Sequence, residues 1–187
     1  MVFNVQEFRG QMEYDGARSN LFRVSINFPN LQAFATRKLS FNAKSSTVPG
    51  DAMGYVTTYY FGRELKFSGN RVFPEWTITV INDEDWSVRT AFEQWMSSMN
   101  SHVSNLREQA YLSPEAYQAD GYITQYGKRG DMLRQYKFVG LFPTDISPID
   151  MDWGNNDQIE EFSVTFAYQW WEEPNSTEYL GGFQYET

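Results

Sequence analysis

Apolar and polar positions alternate in four places along this chain. Over residues 21–28, Phe22, Val24, Ile26 and Phe28 fall on one side, and Arg23, Ser25 and Asn27 on the other, with Pro29 ending the run. A period of two belongs to a half-buried strand. The same period over about 34–47 predicts a second strand with Leu39 and Phe41 inward, closed by the turn Val48-Pro49-Gly50-Asp51. Over about 75–82, Trp76, Ile78 and Val80 oppose Thr77 and Thr79. Near the end, Phe162, Val164, Phe166 and Tyr168 oppose Ser163, Thr165, Ala167 and Gln169.

Elsewhere the pattern changes. Two short runs, about 54–60 and 63–68, are separated by Gly62 and rich in tyrosine and glycine. They predict a protruding hairpin rather than a core one, with Tyr55, Tyr59, Tyr60 and Phe61 outward. After residue 82 the period becomes helical: Val88, Phe92, Trp95, Met96 and Met99 form one stripe that anchors a helix to a sheet. Asn82 or Asp83 would cap this helix, and Glu84 and Asp85 suit its positive end. Residues 102–130 are polar, with Pro114, Gly121, Gly127 and Gly130, and predict a long loop with one helical turn seeded at Ser113-Pro114-Glu115. Met132 to Val139 returns to strand, and Pro143 to Pro148 reads as a corner. Residues 1–19 read as an arm with a short helix. The sum is one domain over 1–187, mainly β, with six or seven strands. It is built as two packed antiparallel sheets or a flattened barrel with one flanking helix.

Composition narrows the class. A chain of 187 residues can bury a real core as one domain. Aromatics make up 18% of it. A β core rich in tyrosine and phenylalanine accounts for most of them, and subunit contacts for the rest. There is no cysteine, which excludes disulfides and thiolate metal sites. The first residues lack the basic-then-apolar signature of a signal peptide. No run approaches the ~20 apolar residues of a membrane helix, so a soluble protein without membrane insertion is expected. The formal charge is −9, with no basic run beyond Arg37-Lys38 and Lys128-Arg129. Tight nucleic-acid binding needs a basic patch, so it is not expected. Passage of DNA along a repelling wall remains open.

Candidate chemistry is sparse. The single histidine, His102, lies just past the expected helix end, where a positive charge is favourable, and no G-x-S-x-G nucleophile motif accompanies it. Carboxylates cluster at Asp83/Glu84/Asp85, Asp150/Asp152 and Glu172/Glu173, without the specificity that glycoside hydrolysis would need. The run Asp150 to Asp157 is the best calcium candidate, but its glycine comes early and no glutamate closes it, so a turn is the preferred reading. Phosphate-cradling and dinucleotide fingerprints are absent. Neither an enzyme, nor a metal, nor a cofactor is expected.

Three stretches carry a resemblance. They are Asn20 to Ile26, Gly69 to Glu84, and the block running from Gly140-Leu141-Phe142-Pro143-Thr144-Asp145 through Met151-Asp152-Trp153 to Ile159–Trp171. Together they make residues of about 1–172 resemble the tail tube protein of contractile-tailed (myovirus) bacteriophages. The resemblance implies a structural subunit that closes into hexameric rings, which stack into the channel for DNA ejection. It also implies a tape-measure protein and then DNA in the lumen, a tail sheath protein outside, and baseplate and tail-terminator proteins at the ends. Its setting would be the virion, after assembly in the host cytoplasm. By the same resemblance the hairpin of about 50–68 stacks one ring on the next. The segment 174–187, with Tyr179, Leu180, Phe183 and Tyr185, is too apolar for a solvated end and is expected to dock on an adjacent subunit. Two alternatives stay open: a baseplate tube initiator or secretion-system tube subunit, and a carbohydrate-binding β-sandwich with Trp153, Trp170 and Trp171 as a stacking platform.

Overall fold

The computed structural model describes residues 4–12, 16–29 and 33–174. The expected inter-subunit tail, with Tyr179, Leu180, Phe183 and Tyr185, lies outside the described residues. In chain order the elements are α1 (Val5–Gln11), β1 (Phe22–Ile26), α2 (Ala33–Asn42), β2 (Ala43–Ser46), β3 (Ala52–Tyr60), β4 (Arg63–Val72), β5 (Trp76–Ile81), α3 (Ser87–Met99), a 3-10 turn (Gln109–Tyr111), α4 (Pro114–Tyr117), β6 (Ala119–Tyr126), β7 (Met132–Ile146), β8 (Glu161–Ala167) and β9 (Trp170–Glu172).

Hydrogen bonding joins the body in the order β1-β6-β7-β8-β5-β2, all antiparallel, with β9 added along β7. β7 belongs to two sheets. Its first half pairs with β6 and β9, and Phe142 to Ile146 pair with β8. The change of sheet falls at Gly140, whose φ of +66° sits beside a register shift against β6. Bulges of this kind increase local twist and re-aim the strand. Gly140 also meets the neighbouring Gln169 and Gln118 side chains, leaving no room for a Cβ.

The two sheets are not closed into a barrel. β1 and β2 form the two free ends of the hydrogen-bonded series, and α2 packs against both. Ala35 and Leu39, one helical turn apart, are buried beneath α2, and Arg23 of β1 bonds Ser40 at 3.2 Å. The expected strand over 34–47 is therefore a helix followed by a short strand. Phe41, expected inward, is exposed, because the spacing that matters is Ala35 to Leu39 and not Leu39 to Phe41.

The core holds Val24 and Ile26 of β1, Trp76, Ile78 and Val80 of β5, Phe138 and Leu141 of β7, and Phe162, Val164 and Phe166 of β8. Trp76 stacks on Phe138 with centroids 4.2 Å apart. In the α3 stripe Val88, Phe92 and Trp95 are buried, while Met96 and Met99 are half-buried. Phe92 lies edge-on to Phe166, and Phe28 touches both Phe92 and Trp95.

The start of α3 differs from expectation. Neither Asn82 nor Asp83 caps it. Asn82 is tied to Glu160 through backbone and side chain, and Asp85 accepts from the Ser87 amide at 3.1 Å. Asp83 and Asp85 both grip Lys38 of α2, which locks the two helices together. These bonds hold both carboxyls below their usual range and raise the Lys38 ammonium above its own.

The stretch 102–130 is not one loop. The helical turn at Pro114 is present, but 119–126 is the inner strand β6, with Ala119, Ile123 and Thr124 buried. Gly121 has no side chain because Leu141 Cδ2 would lie 2.9 Å from its Cβ. The corner is also shorter than expected. β7 continues through Pro143, opposite Phe166, and absorbs the missing amide at a register shift before Asp145.

Candidate assembly interface

β3 and β4 form a separate two-stranded sheet that pairs only with itself. Every residue from Ala52 to Val72 is exposed except Gly69. An isolated hairpin with both faces and both edges open leaves its strand edges unpaired, which is a hazard unless something covers them. The expectation of a protruding hairpin holds, with strands longer than the pattern indicated.

Its two faces differ. Cross-strand pairs put Val56 with Phe67, Thr58 with Leu65 and Tyr60 with Arg63 on one face. The other carries Tyr55 with Ser68, Thr57 with Lys66 and Tyr59 with Glu64. Lys66 sits over the Tyr55 ring at 4.8 Å. The tip is Phe61-Gly62, both at positive φ, +48° and +78°, as a two-residue primed turn requires. A phenylalanine is poorly suited to that conformation. Here it is 93% exposed, and its ring meets only that of Tyr60, at 4.6 Å. Strain held at an exposed aromatic points to use rather than to folding. At the root, Gly54 and Gly69 face each other so closely that a Cβ on Gly69 would meet the Gly54 carbonyl carbon at 3.0 Å.

The hairpin is attached at one end of β5. β4 leads through 73–75 into Trp76, whose indole N–H donates to Ser46 Oγ and to the Thr47 carbonyl. Trp171 donates to the Gly50 carbonyl at 3.2 Å and so braces the approach to β3. The outer face of β5 and β8 carries Thr77, Thr79, Ser163 and Thr165, with Thr77 and Thr165 hydroxyls 3.2 Å apart. It is a band of small polar side chains.

Among the described residues, no group of three or more histidine, cysteine or carboxylate side chains is placed to hold a metal. Asp150 to Asp157 forms a turn in which Asp152 accepts from the Gly154 amide at 2.8 Å. The tryptophan platform is not assembled. Trp153 lies in the β7–β8 loop, beyond the Ile81 end of β5, while Trp170 and Trp171 lie on β9 beside Lys137 to Val139. Trp171 is spent on Gly50 and on Tyr136, which it meets edge-on. No described helix is long and apolar enough to cross a membrane.

Comparison with known proteins agrees with this picture. The tail tube protein gp19 of Enterobacteria phage T4 is 28% identical over 159 residues, covering 84% of this chain and 92% of the relative. The tail tube protein of Serratia phage KSP90 is 28% identical over 168 residues, covering 88% and 93%. In fold, the chain is similar to a protein of the anti-feeding prophage baseplate, with a TM-score of 0.64 at 13% identity over 87% of this chain and 97% of the other. It is also similar to one from the sheath-tube complex of an extracellular contractile injection system, with a TM-score of 0.58 at 14% identity over 92% and 99%. The phage tail tube protein family model matches residues 17–173, from the approach to β1 to the end of β9, and the chain is a member of that family.

Proposed function

We propose that the protein is the repeating, non-enzymatic subunit of the inner tube of a contractile phage tail. Six copies close a ring, and rings stack head to tail through the β3–β4 hairpin. The observation that carries this reading is the hairpin itself: exposed on both faces, tipped by a strained aromatic, and, among the described strands, paired only with itself. The free edges at β1 and β2 support lateral closure, since edge pairing between neighbours removes two liabilities at once. The band of Thr77, Thr79, Ser163 and Thr165 is suited to a lumen wall, being small, polar and uncharged. In this reading a tape-measure protein and later DNA occupy the lumen. The sheath surrounds the outside, baseplate and terminator proteins meet the ends, and the finished particle is the virion. Negative-stain microscopy of the purified protein tests it. Stacked rings are expected. Deletion of 54–60 should leave rings and abolish stacking, and a protein that stays monomeric at high concentration would refute the reading.

A further inference from the structure

The end of the molecule opposite the hairpin has the complementary chemistry. β5 runs from Trp76, where the hairpin is attached, to Ile81, which pairs with Glu161 at the start of β8. At about 3.3 Å per residue these ends lie about 17 Å apart. The β7–β8 loop, 147–160, leaves the body at the Ile81 end, because Ile146 pairs with Val164 and Glu160 is bonded to Asn82. The root of the hairpin and this loop therefore lie at opposite ends of β5.

The loop forms an open cleft of about 350 Å³, lined in part by Asp150, Met151, Asp152, Ile159 and Glu160. Met151, Trp153 and Ile159 are exposed, and Trp153 is fully so. The loop holds four acids and no lysine or arginine, and no cation follows Lys137 anywhere in the chain. The hairpin, Ala52 to Val72, holds three cations, Arg63, Lys66 and Arg71, against one acid, Glu64. It is the basic, aromatic part of a chain whose net charge is −9. Opposite potentials on two apolar surfaces fix register and suppress wrong pairings.

We infer that the β7–β8 loop is the receptor for the hairpin of a second copy of this chain. Phe61 and the Tyr60/Leu65/Phe67 face would meet Met151, Trp153 and Ile159, while Arg63, on the same face, meets Asp150 and Asp152. The inference rests on the reading of the hairpin as the ring-stacking element. Because donor and receptor are different surfaces rooted at opposite ends of β5, the contact is heterologous and can repeat from copy to copy.

Complementary charge reversal tests it on the full chain. One variant carries Arg63→Glu, the other Asp150→Lys and Asp152→Lys. All three positions are exposed, and matching circular dichroism melts check that both variants fold. Each alone should give rings that do not stack, and mixing the two should restore tubes in which the variants alternate. Asp150→Asn with Asp152→Asn should give shorter tubes without any new repulsion. Normal tubes from the loop-reversed protein alone would overturn the inference and leave the acidic pole to another partner. Rings of both variants that fail to stack when mixed would overturn it as well. The unaltered protein is the separate control: if it forms no stacked rings, the tube reading itself fails.

Discussion

Truncating Trp95 to alanine gives the sharpest test of how the body is held together. Trp95 is completely buried on α3, touches Phe28 edge-on, and donates its indole N–H to the Tyr117 carbonyl at 2.7 Å. It thus joins α3 both to the β1 side of the core and to the turn that launches β6. Removing a buried tryptophan side chain costs about 3–5 kcal/mol in lost burial and residual cavity. The stranded carbonyl adds about 1 kcal/mol. For a domain of this size each kcal/mol moves the melting temperature by about 2–4 °C, so a drop of about 10–20 °C is expected. Native stability is itself only about 5–15 kcal/mol, so the variant sits near the limit of folding. Trp95→Phe keeps most of the ring and loses the hydrogen bond, and should fall between the two. Melting should be followed by circular dichroism at a concentration where the subunit is unassembled, because assembly raises apparent stability by mass action. A melting temperature for Trp95→Ala within about 2 °C of wild type would show that the packing of α3 contributes little, against the magnitudes above.

Three further outcomes are expected. Lys38→Met should lower stability only at intermediate pH. The carboxyls of Asp83 and Asp85 are held below their ordinary 3.8, so their contribution is present above that value and fades as pH falls through the lower folded values. The Lys38 contribution is present below 10.5 and fades as pH rises past its raised value, so the wild-type advantage should close at both extremes of a pH series of urea melts; an advantage unchanged at pH 2 would contradict this. Gly140→Ala should destabilise by about 1–2 kcal/mol or more in denaturant titrations, from left-handed strain plus a Cβ 2.7 Å from Gln169 Cγ; Gly130→Ala, at φ +83° in open space, carries the strain alone and should cost less. Truncation after Glu173 should lower the temperature at which assembled tubes dissociate, if 174–187 docks on a neighbour; equal dissociation temperatures would refute that docking.

Much of the body was legible because its strands are half-buried. In β1, β5 and β8 a large apolar residue recurs at every second position, so period and burial coincide. The hairpin was legible for a different reason: Gly62 marks its turn, and its tyrosines alternate on a surface with no core to serve. α2 was misread because Leu39-Ser40-Phe41 mimics a strand. The true signal, Ala35 and Leu39, is a pair four apart with a small first member. β6 was missed because its inward positions are Ala119, Gly121 and Ile123. The bareness of Gly121 at the middle of this face is imposed by Leu141 and Trp76, residues distant in sequence that press on it from across the core. The receptor pole was hidden for a similar reason. Its charge is plain in the sequence, but its position opposite the hairpin follows only from the register of β5 against β8.

The sharing of β7 between two sheets bears on how the subunit comes apart. In a sandwich whose sheets have no strand in common, one sheet can fray while the other persists. Here the same fifteen residues, Met132 to Ile146, form rungs of both ladders. Pulling β6 away loosens the strand on which β8 depends, and the reverse is equally true. Amide protons on β6 and on β8 should therefore exchange with a common opening free energy, as one cooperative unit, while those of β3 and β4, paired only with each other, exchange early in the isolated subunit.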